Sequence, residues 1–201
     1  MIKNIIFDIG NVLADFRWKE FLFDKGFDEA MVNRIARASV LTPAWYEVDR
    51  GIQDMDKVMQ GFINNDPEIE KELHRAFDDI HGMVTIRDYA IPWLKELKEK
   101  GYGLYYLSNY PEHSFRYVLE NNPVFRLMDG GVVSWQVHAV KPDPAIYRAL
   151  LDRYGLAAGT CVFTDDSPLN TAGARACGLH TVDFTGAAQL EQALSELGLR
   201  F

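Results

Sequence analysis

The chain has 201 residues, the length of one ordinary domain or of a core domain carrying a modest insertion. Hydrophobic residues make up 48% and charged residues 25%, a globular composition able to bury a sizeable core. A formal net charge of −8 and a pI near 5.1 give a surface that repels a phosphate backbone, which excludes nucleic acid as a partner but leaves a small anionic substrate open.

Two cysteines, Cys161 and Cys177, are too few for a disulfide framework, and both read as buried small hydrophobes. The N-terminus reads without the basic start and cleavage site of a signal peptide, and no apolar run approaches the ~18 residues of a membrane helix. The expectation is a soluble, cytoplasmic protein with no membrane partner.

In chain order, the first strand candidate is NIIF, ending abruptly on Asp8, with Gly10 and Asn11 just beyond. From Phe16 to Thr85 no strand is predicted. FLFDKGFDEAMVNRIARASV, AWYEVDR and MDKVMQGFI read as amphipathic helices, with hinges near 15–16 and 83–87. Beyond residue 86, helices and strands alternate. In IRDYAIPWLKELKEKGYG, Ile91, Leu94 and Leu97 recur at helical spacing and Gly101 marks the stop. The strand candidates GLYYLSN, GGVVSW, TCVFTDD and HTVDF follow. In KPDPAIYRALLDRYGL, Asp143 is an N-cap, Pro144 lies in the first turn and Gly155 closes the helix. The small residues Ala172, Gly173, Ala174 and Ala176 predict a helix packed close to the sheet. Near-continuous apolar strands separated by helices predict a parallel α/β sheet, with residues 1–15 and 86–201 as core and 16–85 as an all-helical insertion.

In such a sheet, function gathers beyond the carboxyl ends of the strands. There the sequence places Asp8, Ser108 with Asn109, Lys141, and Asp165 with Asp166. Three neighbouring carboxylates repel unless a cation offsets them, and hard oxygen donors suit Mg²⁺. A hydroxyl beside a helix start can hold phosphate, an ammonium can neutralise a phosphoryl group, and a carboxylate can act as nucleophile. Taken singly, each has a plainer reading: a turn or cap for Asp8, turn chemistry for Ser108 and Asn109, a solvated Lys141. Together they describe phosphoryl transfer through an aspartate.

That order of residues resembles the haloacid dehalogenase superfamily, in the subfamily with a helical cap inserted after the first strand. The matching motifs are FDIGNVLAD, LSN, VKPDPAIY and FTDDSPLNTAGARACG, spanning Phe7 to Gly178. The resemblance implies a Rossmann-like parallel-sheet core with an inserted all-helical cap. It implies Asp8 as nucleophile and metal ligand, and Ser108 as the phosphate-binding hydroxyl with Asn109 beside it. It further implies Lys141 steadying nucleophile and phosphoryl group, Asp166 as direct Mg²⁺ ligand, Asp165 acting through a metal-bound water, and Asn170 orienting Asp165 or Lys141.

Phosphatases of this superfamily carry a second aspartate two residues after the nucleophile, which protonates the leaving alcohol. Here that position is Gly10, whose main-chain carbonyl still matches a metal contact. Three readings compete: a metal-independent dehalogenase-like hydrolase, a catalytically silent phospho-ligand-binding protein, and a phosphatase that manages without the usual acid. The third is favoured, because losing general acid help slows catalysis without abolishing it. A sugar 1-phosphate, with its good anomeric leaving group, suits that deficit. The FD-hydrophobic-GNV form also resembles a branch that includes sugar-phosphate phosphatases, glucose 1-phosphate among their substrates. Asn11, an ordered water or, more weakly, Asp15 is left to relay the proton. A phosphomutase is disfavoured by the same glycine.

Within the insertion, WYEVDRG places Trp45 and Arg50 as candidate substrate contacts, against the plainer alternative of packing for Trp45 and an Arg50–Glu47 ion pair. Trp18, Trp93 and Trp135 read as core or hinge aromatics. His74, His81, His113, His138 and His180 show no metal spacing. The expected partner is a small phosphorylated metabolite, bound by a monomer or weak homodimer.

Overall fold

The structure, a computed structural model, describes residues 1–51, 55–80 and 82–199, and of Ala44, Tyr46, Glu47 and His113 only the backbone. The predicted Arg50–Glu47 ion pair and the readings of the His81 and His113 side chains therefore lie outside the described residues.

The opening apolar run forms β1 (Asn4–Phe7), with Ile5, Ile6 and Phe7 fully buried. The two-residue period of a strand sorts them between faces: Ile5 and Phe7 join one hydrophobic cluster and Ile6 another. A strand apolar on both faces belongs inside a sheet covered twice. It is followed by β2 (Ala14–Phe16), the helices α1 (Trp18–Asp24), α2 (Glu29–Ala38), α3 (Pro43–Arg50), α4 (Met55–Asn65) and α5 (Glu70–Phe77), and then β3 (Val84–Ile86). The rest alternates: α6 (Ala90–Glu99), β4 (Gly103–Ser108), α7 (Glu112–Asn121), β5 (Gly130–Val133), α8 (Pro144–Tyr154), β6 (Cys161–Asp165), α9 (Pro168–Ala176), β7 (His180–Asp183) and α10 (Ala187–Glu196).

Five strands form a parallel sheet in the order β5-β4-β1-β6-β7. Residues of α6, α7 and α10 pack with the Ile5 and Phe7 face, and residues of α8 and α9 with the Ile6 face. This is the α/β architecture expected from the sequence, and all five strand candidates lie in the sheet. The punctuation also holds: the Asp143 side chain accepts from Ala145 N at 2.9 Å, and Gly155 takes φ +61 just past α8.

Three local expectations change. The segment read as strand-free is bounded by two short strands, β2 and β3, which pair antiparallel with Ala14 opposite Ile86 and Phe16 opposite Val84. Strands of three residues are too short to show alternation. The close packing of α9 rests on Gly173 and Ala174, whereas Ala172 and Ala176 are exposed. Cys161 is buried as expected, but Cys177 is only half-buried.

The helices α1–α5 have a hydrophobic cluster of their own, built on residues such as Leu22, Ile35, Phe62 and Leu73. No helix among the described residues is long and apolar enough to cross a membrane.

Candidate active site

Strand register brings the acidic residues together. Phe7 of β1 lies opposite Tyr106 of β4 and Thr164 of β6, so Asp8 and Asp165 leave the sheet side by side, with Ser108 at the same edge. Asp8 N donates to Thr164 O at 2.9 Å, continuing the ladder up to the acid itself. One oxygen each of Asp8, Asp165 and Asp166 lie within 4.8 Å of one another.

A single ammonium joins two of them. Lys141 Nζ stands 2.8 Å from Asp8 Oδ1 and 2.6 Å from Asp165 Oδ2, with the lysine 4% exposed, Asp8 7% and Asp165 fully buried. Burial is the largest influence on Lys141 and would lower its pKa, but the charges and hydrogen bonds of the two carboxylates outweigh it and raise the pKa. Burial likewise pushes Asp8 up to about 6, with Lys141 opposing and the Asp165 charge adding to the rise.

The remaining polar groups hold this arrangement in place. Asp165 Oδ1 accepts from Ser167 N at 2.8 Å and from Asn170 Nδ2 at 2.9 Å, so both its oxygens are engaged. Asn109 grips the main chain of Lys141, accepting from its N–H at 2.8 Å and donating to its carbonyl at 3.3 Å. Asn11, at φ +56, donates to Asp166 Oδ2 at 2.9 Å and accepts from Phe16 N. Both amides line the cleft, yet both are already committed to other protein groups.

The acidic edge opens into a cavity of about 260 Å³ between the sheet and the helices α3, α4 and α5. Asp8, Gly10, Asn11, Ser108, Asn109, Lys141, Asp166 and Asn170 line its polar end. Apolar side chains dominate elsewhere, among them Phe16, Trp45, Phe62, Phe77, Met83 and Val118. Trp45 therefore does two things: it stacks on Phe62 with centroids 6.2 Å apart and it faces the cavity. Arg50 is not among the lining residues; its carbonyl accepts from His138 Nδ1 at 3.1 Å. Asp15 is ion-paired with Arg87 at 2.7 Å, also away from the cavity.

The structure adds residues that the sequence reading passed over. Asp49, Tyr110 and Ser114 all line the cavity. The Tyr110 hydroxyl and the Ser114 Oγ are buried without a hydrogen-bond partner among the described residues. Helical spacing carried a signal here: Trp45, Val48 and Asp49 are i, i+3 and i+4, hence one face of α3.

Carboxylate oxygens are the donors a hard divalent cation takes, and one ammonium offsets only part of the charge of three carboxylates. Residues 2–178 match the haloacid dehalogenase-like hydrolase family. A sesquiterpene phosphatase of Aspergillus oryzae is 26% identical over 184 residues, 90% of either chain. A phosphoglycolate phosphatase of Rhodospirillum rubrum is 33% identical over 113 residues, 54% of this chain and 45% of that one. Among solved structures, a haloacid dehalogenase family enzyme of Bacteroides thetaiotaomicron in a magnesium complex superposes with a TM-score of 0.73 at 21% identity, covering 96% of this chain and 98% of that one. With the motif residues gathered at one sheet edge and the family match covering most of its length, the chain belongs to the haloacid dehalogenase-like hydrolases.

Proposed function

We propose that the protein is a Mg²⁺-dependent phosphatase that hydrolyses a small phosphomonoester through a phosphorylated Asp8. One observation carries the reading: three carboxylates converge within 4.8 Å around one buried lysine at the polar end of a metabolite-sized cavity. Asp8, Asp166 and the Gly10 carbonyl would hold Mg²⁺, with Asp165 in support, and the bound ion would neutralise charge on the transferring phosphoryl group.

The chain's own groups do the rest. Asp8 Oδ1 is engaged by Ile9 N at 2.7 Å and by Lys141, which leaves Oδ2 to form the bond to phosphorus. Lys141 spreads positive charge toward the same centre, and Ser108 offers a hydroxyl to a phosphate oxygen. Asn109 fixes the lysine's backbone, and Asn170 with Ser167 N fixes Asp165, so the ammonium is positioned before substrate arrives. The helices α1–α5 act as the cap, excluding water and selecting the leaving group.

Within this class, an alcohol with an apolar body fits the cavity better than the sugar phosphate that the sequence suggested. Aromatic and aliphatic walls offer a polyol few hydrogen-bond partners, while they bury an apolar chain favourably. A relative named for a sesquiterpene substrate points the same way. The dehalogenase-like alternative leaves the Asp166 charge, which is bonded to the Asn11 amide and not to Lys141, without a cation, and a silent binding protein leaves the preset Lys141 without a reaction to serve.

The test is phosphate release from 4-nitrophenyl phosphate, glucose 1-phosphate and an isoprenoid phosphate, with Mg²⁺ and with chelator. Wild type is expected to turn over only with metal, to favour the isoprenoid ester, and to lose activity on Asp8→Asn. No release from any ester by wild type would leave a binding protein.

A further inference from the structure

An alkoxide leaving group needs a proton, and residue 10 has no side chain to give one. The nearby candidates are spent: Asn11 is an amide bound to Asp166, Asp15 is paired with Arg87, and Lys141 is shared between two carboxylates. Two carboxyls that line the cavity have no assigned task, Asp78, which is exposed, and Asp49, which is buried. Asp49, on the last turn of α3, is 8% exposed and lines the same space as Asp8 and Gly10. Its carboxylate has no hydrogen bond or ion pair with any described residue.

The fold fixes its place. Ser134, in the turn after β5, donates its hydroxyl to the Asp49 carbonyl and accepts from Tyr110 N at 2.9 Å. His138 reaches the carbonyl of the next residue, Arg50, at 3.1 Å. Gly51 takes φ +62 so close to Trp135 that an added Cβ would stand 2.8 Å from the tryptophan Cβ. Three consecutive residues of the insertion are thus seated on the core, and they carry Asp49 over the site.

We propose that Asp49 is the catalytic acid and base of the phosphatase reaction, supplied by the cap in place of the side chain missing at Gly10. The inference rests on the phosphatase reading above. In the first half, Asp8 Oδ2 bonds to phosphorus, the ester P–O bond breaks with its electron pair on the alcohol oxygen, and the Asp49 carboxyl gives that oxygen its proton. In the second, the Asp49 carboxylate takes a proton from water as the water oxygen bonds to phosphorus, and the Asp8–phosphorus bond breaks with its electron pair on Oδ2, which releases phosphate and regenerates the Asp8 carboxylate and the Asp49 carboxyl. Burial pushes Asp49 up to about 7, with Lys141 opposing and Asp8 adding, which leaves it protonated often enough to donate at neutral pH. The titratable groups that face it are Asp8, Lys141 and Tyr110; Asp78, Tyr117 and Asp166 line the same cavity.

The experiment compares kcat/KM for hexyl phosphate, a poor leaving group, with 4-nitrophenyl phosphate, which departs without a proton. Asp49→Asn is expected to lose about 10²–10⁴-fold on hexyl phosphate and only a few-fold on the aryl ester, whose turnover also reports a folded site. The wild-type hexyl profile is expected to fall on its alkaline side as Asp49 ionises, and the aryl profile to lack that limb. A Cβ at Gly10 meets nothing within 4 Å, so Gly10→Asp in the Asp49→Asn background is expected to restore hexyl phosphate turnover. Equal losses on the two esters, or none on hexyl phosphate, would overturn the assignment. Failure of wild type on both esters would instead sink the phosphatase reading itself.

Discussion

A carboxyl group buried without a partner weakens the fold whenever it ionises, and the Asp49 carboxyl has no hydrogen bond or ion pair among the described residues. Its pKa rises from 3.8 to about 7, chiefly through burial. Between those values the folded state keeps a proton that the unfolded chain releases, so stability falls as pH rises from about 4 to 7. The full shift corresponds to ~4 kcal/mol at 1.36 kcal/mol per pKa unit, an upper figure for a group that opens on a cavity. We expect Asp49→Asn to match wild type in urea titrations at pH 4 and to exceed it by about 2–4 kcal/mol at pH 8. A constant difference across that range would mean that the carboxyl ionises as freely in the folded protein as in the unfolded chain. Asp8, Asp165 and Asp166 stood out in the sequence because they follow buried apolar runs, where a charge needs a reason, and Lys141 joined them through its place in the order of motifs. Asp49 did not, because it lies next to Arg50 in a stretch that also holds Glu47, where a carboxylate looks solvated. Only the folded contact between α3 and the Ser134 turn buries it.

At the scale of elements, the sheet was legible because its strands are apolar on both faces, and the helices because Asp143, Gly101 and Gly155 mark their ends. The β2–β3 ribbon was not: three residues hold too little pattern, and the pairing of Phe16 with Val84 is a long-range event. Glycines within helices show how far local pattern can mislead. Gly61 in α4 and Gly173 in α9 look alike in sequence, and alanine at either gains up to ~1 kcal/mol of helix propensity. Their surroundings differ. A Cβ at Gly61 meets nothing within 4 Å, whereas at Gly173 it would stand 2.7 Å from the Pro142 carbonyl oxygen, next to Lys141. Backbone cannot swing aside like a side-chain tip, so overpacking by ~1–3 kcal/mol decides the sign there. Gly61→Ala is expected to stabilise by about 0.5–1 kcal/mol with activity intact. Gly173→Ala is expected to lose about 1–2 kcal/mol and to lower kcat by displacing the loop that carries Lys141. Thermal melts with parallel assays check both, and stabilisation by Gly173→Ala would show that α9 has room to move.

The molecule as a whole is a sheet with a hydrophobic cluster on each face and a set of helices with a cluster of its own, and the cavity between sheet and helices opens on a group of like charges. With Asp8, Asp165 and Asp166 ionised, Lys141 alone leaves that cluster with excess negative charge inside a chain whose net charge is already −8. The unfolded chain separates these acids and loses the site, so a cation that binds the folded cluster must stabilise the whole fold by mass action. At Mg²⁺ a hundredfold above its Kd the gain is ~2.7 kcal/mol. For a protein of this size each kcal/mol moves Tm by ~2–4 °C, which gives a rise of roughly 5–10 °C. Ionic strength also screens a charge of −8, so the comparison is MgCl₂ against chelator at matched ionic strength. Asp166 is the informative variant, because it is the exposed member of the trio, bonded to Asn11 rather than to Lys141. Removing its charge spares the buried ion pairs and weakens only the cation site. Wild type should show the rise and Asp166→Asn should lose most of it. An equal rise in both would assign the effect to general screening and leave the three carboxylates without a shared ion.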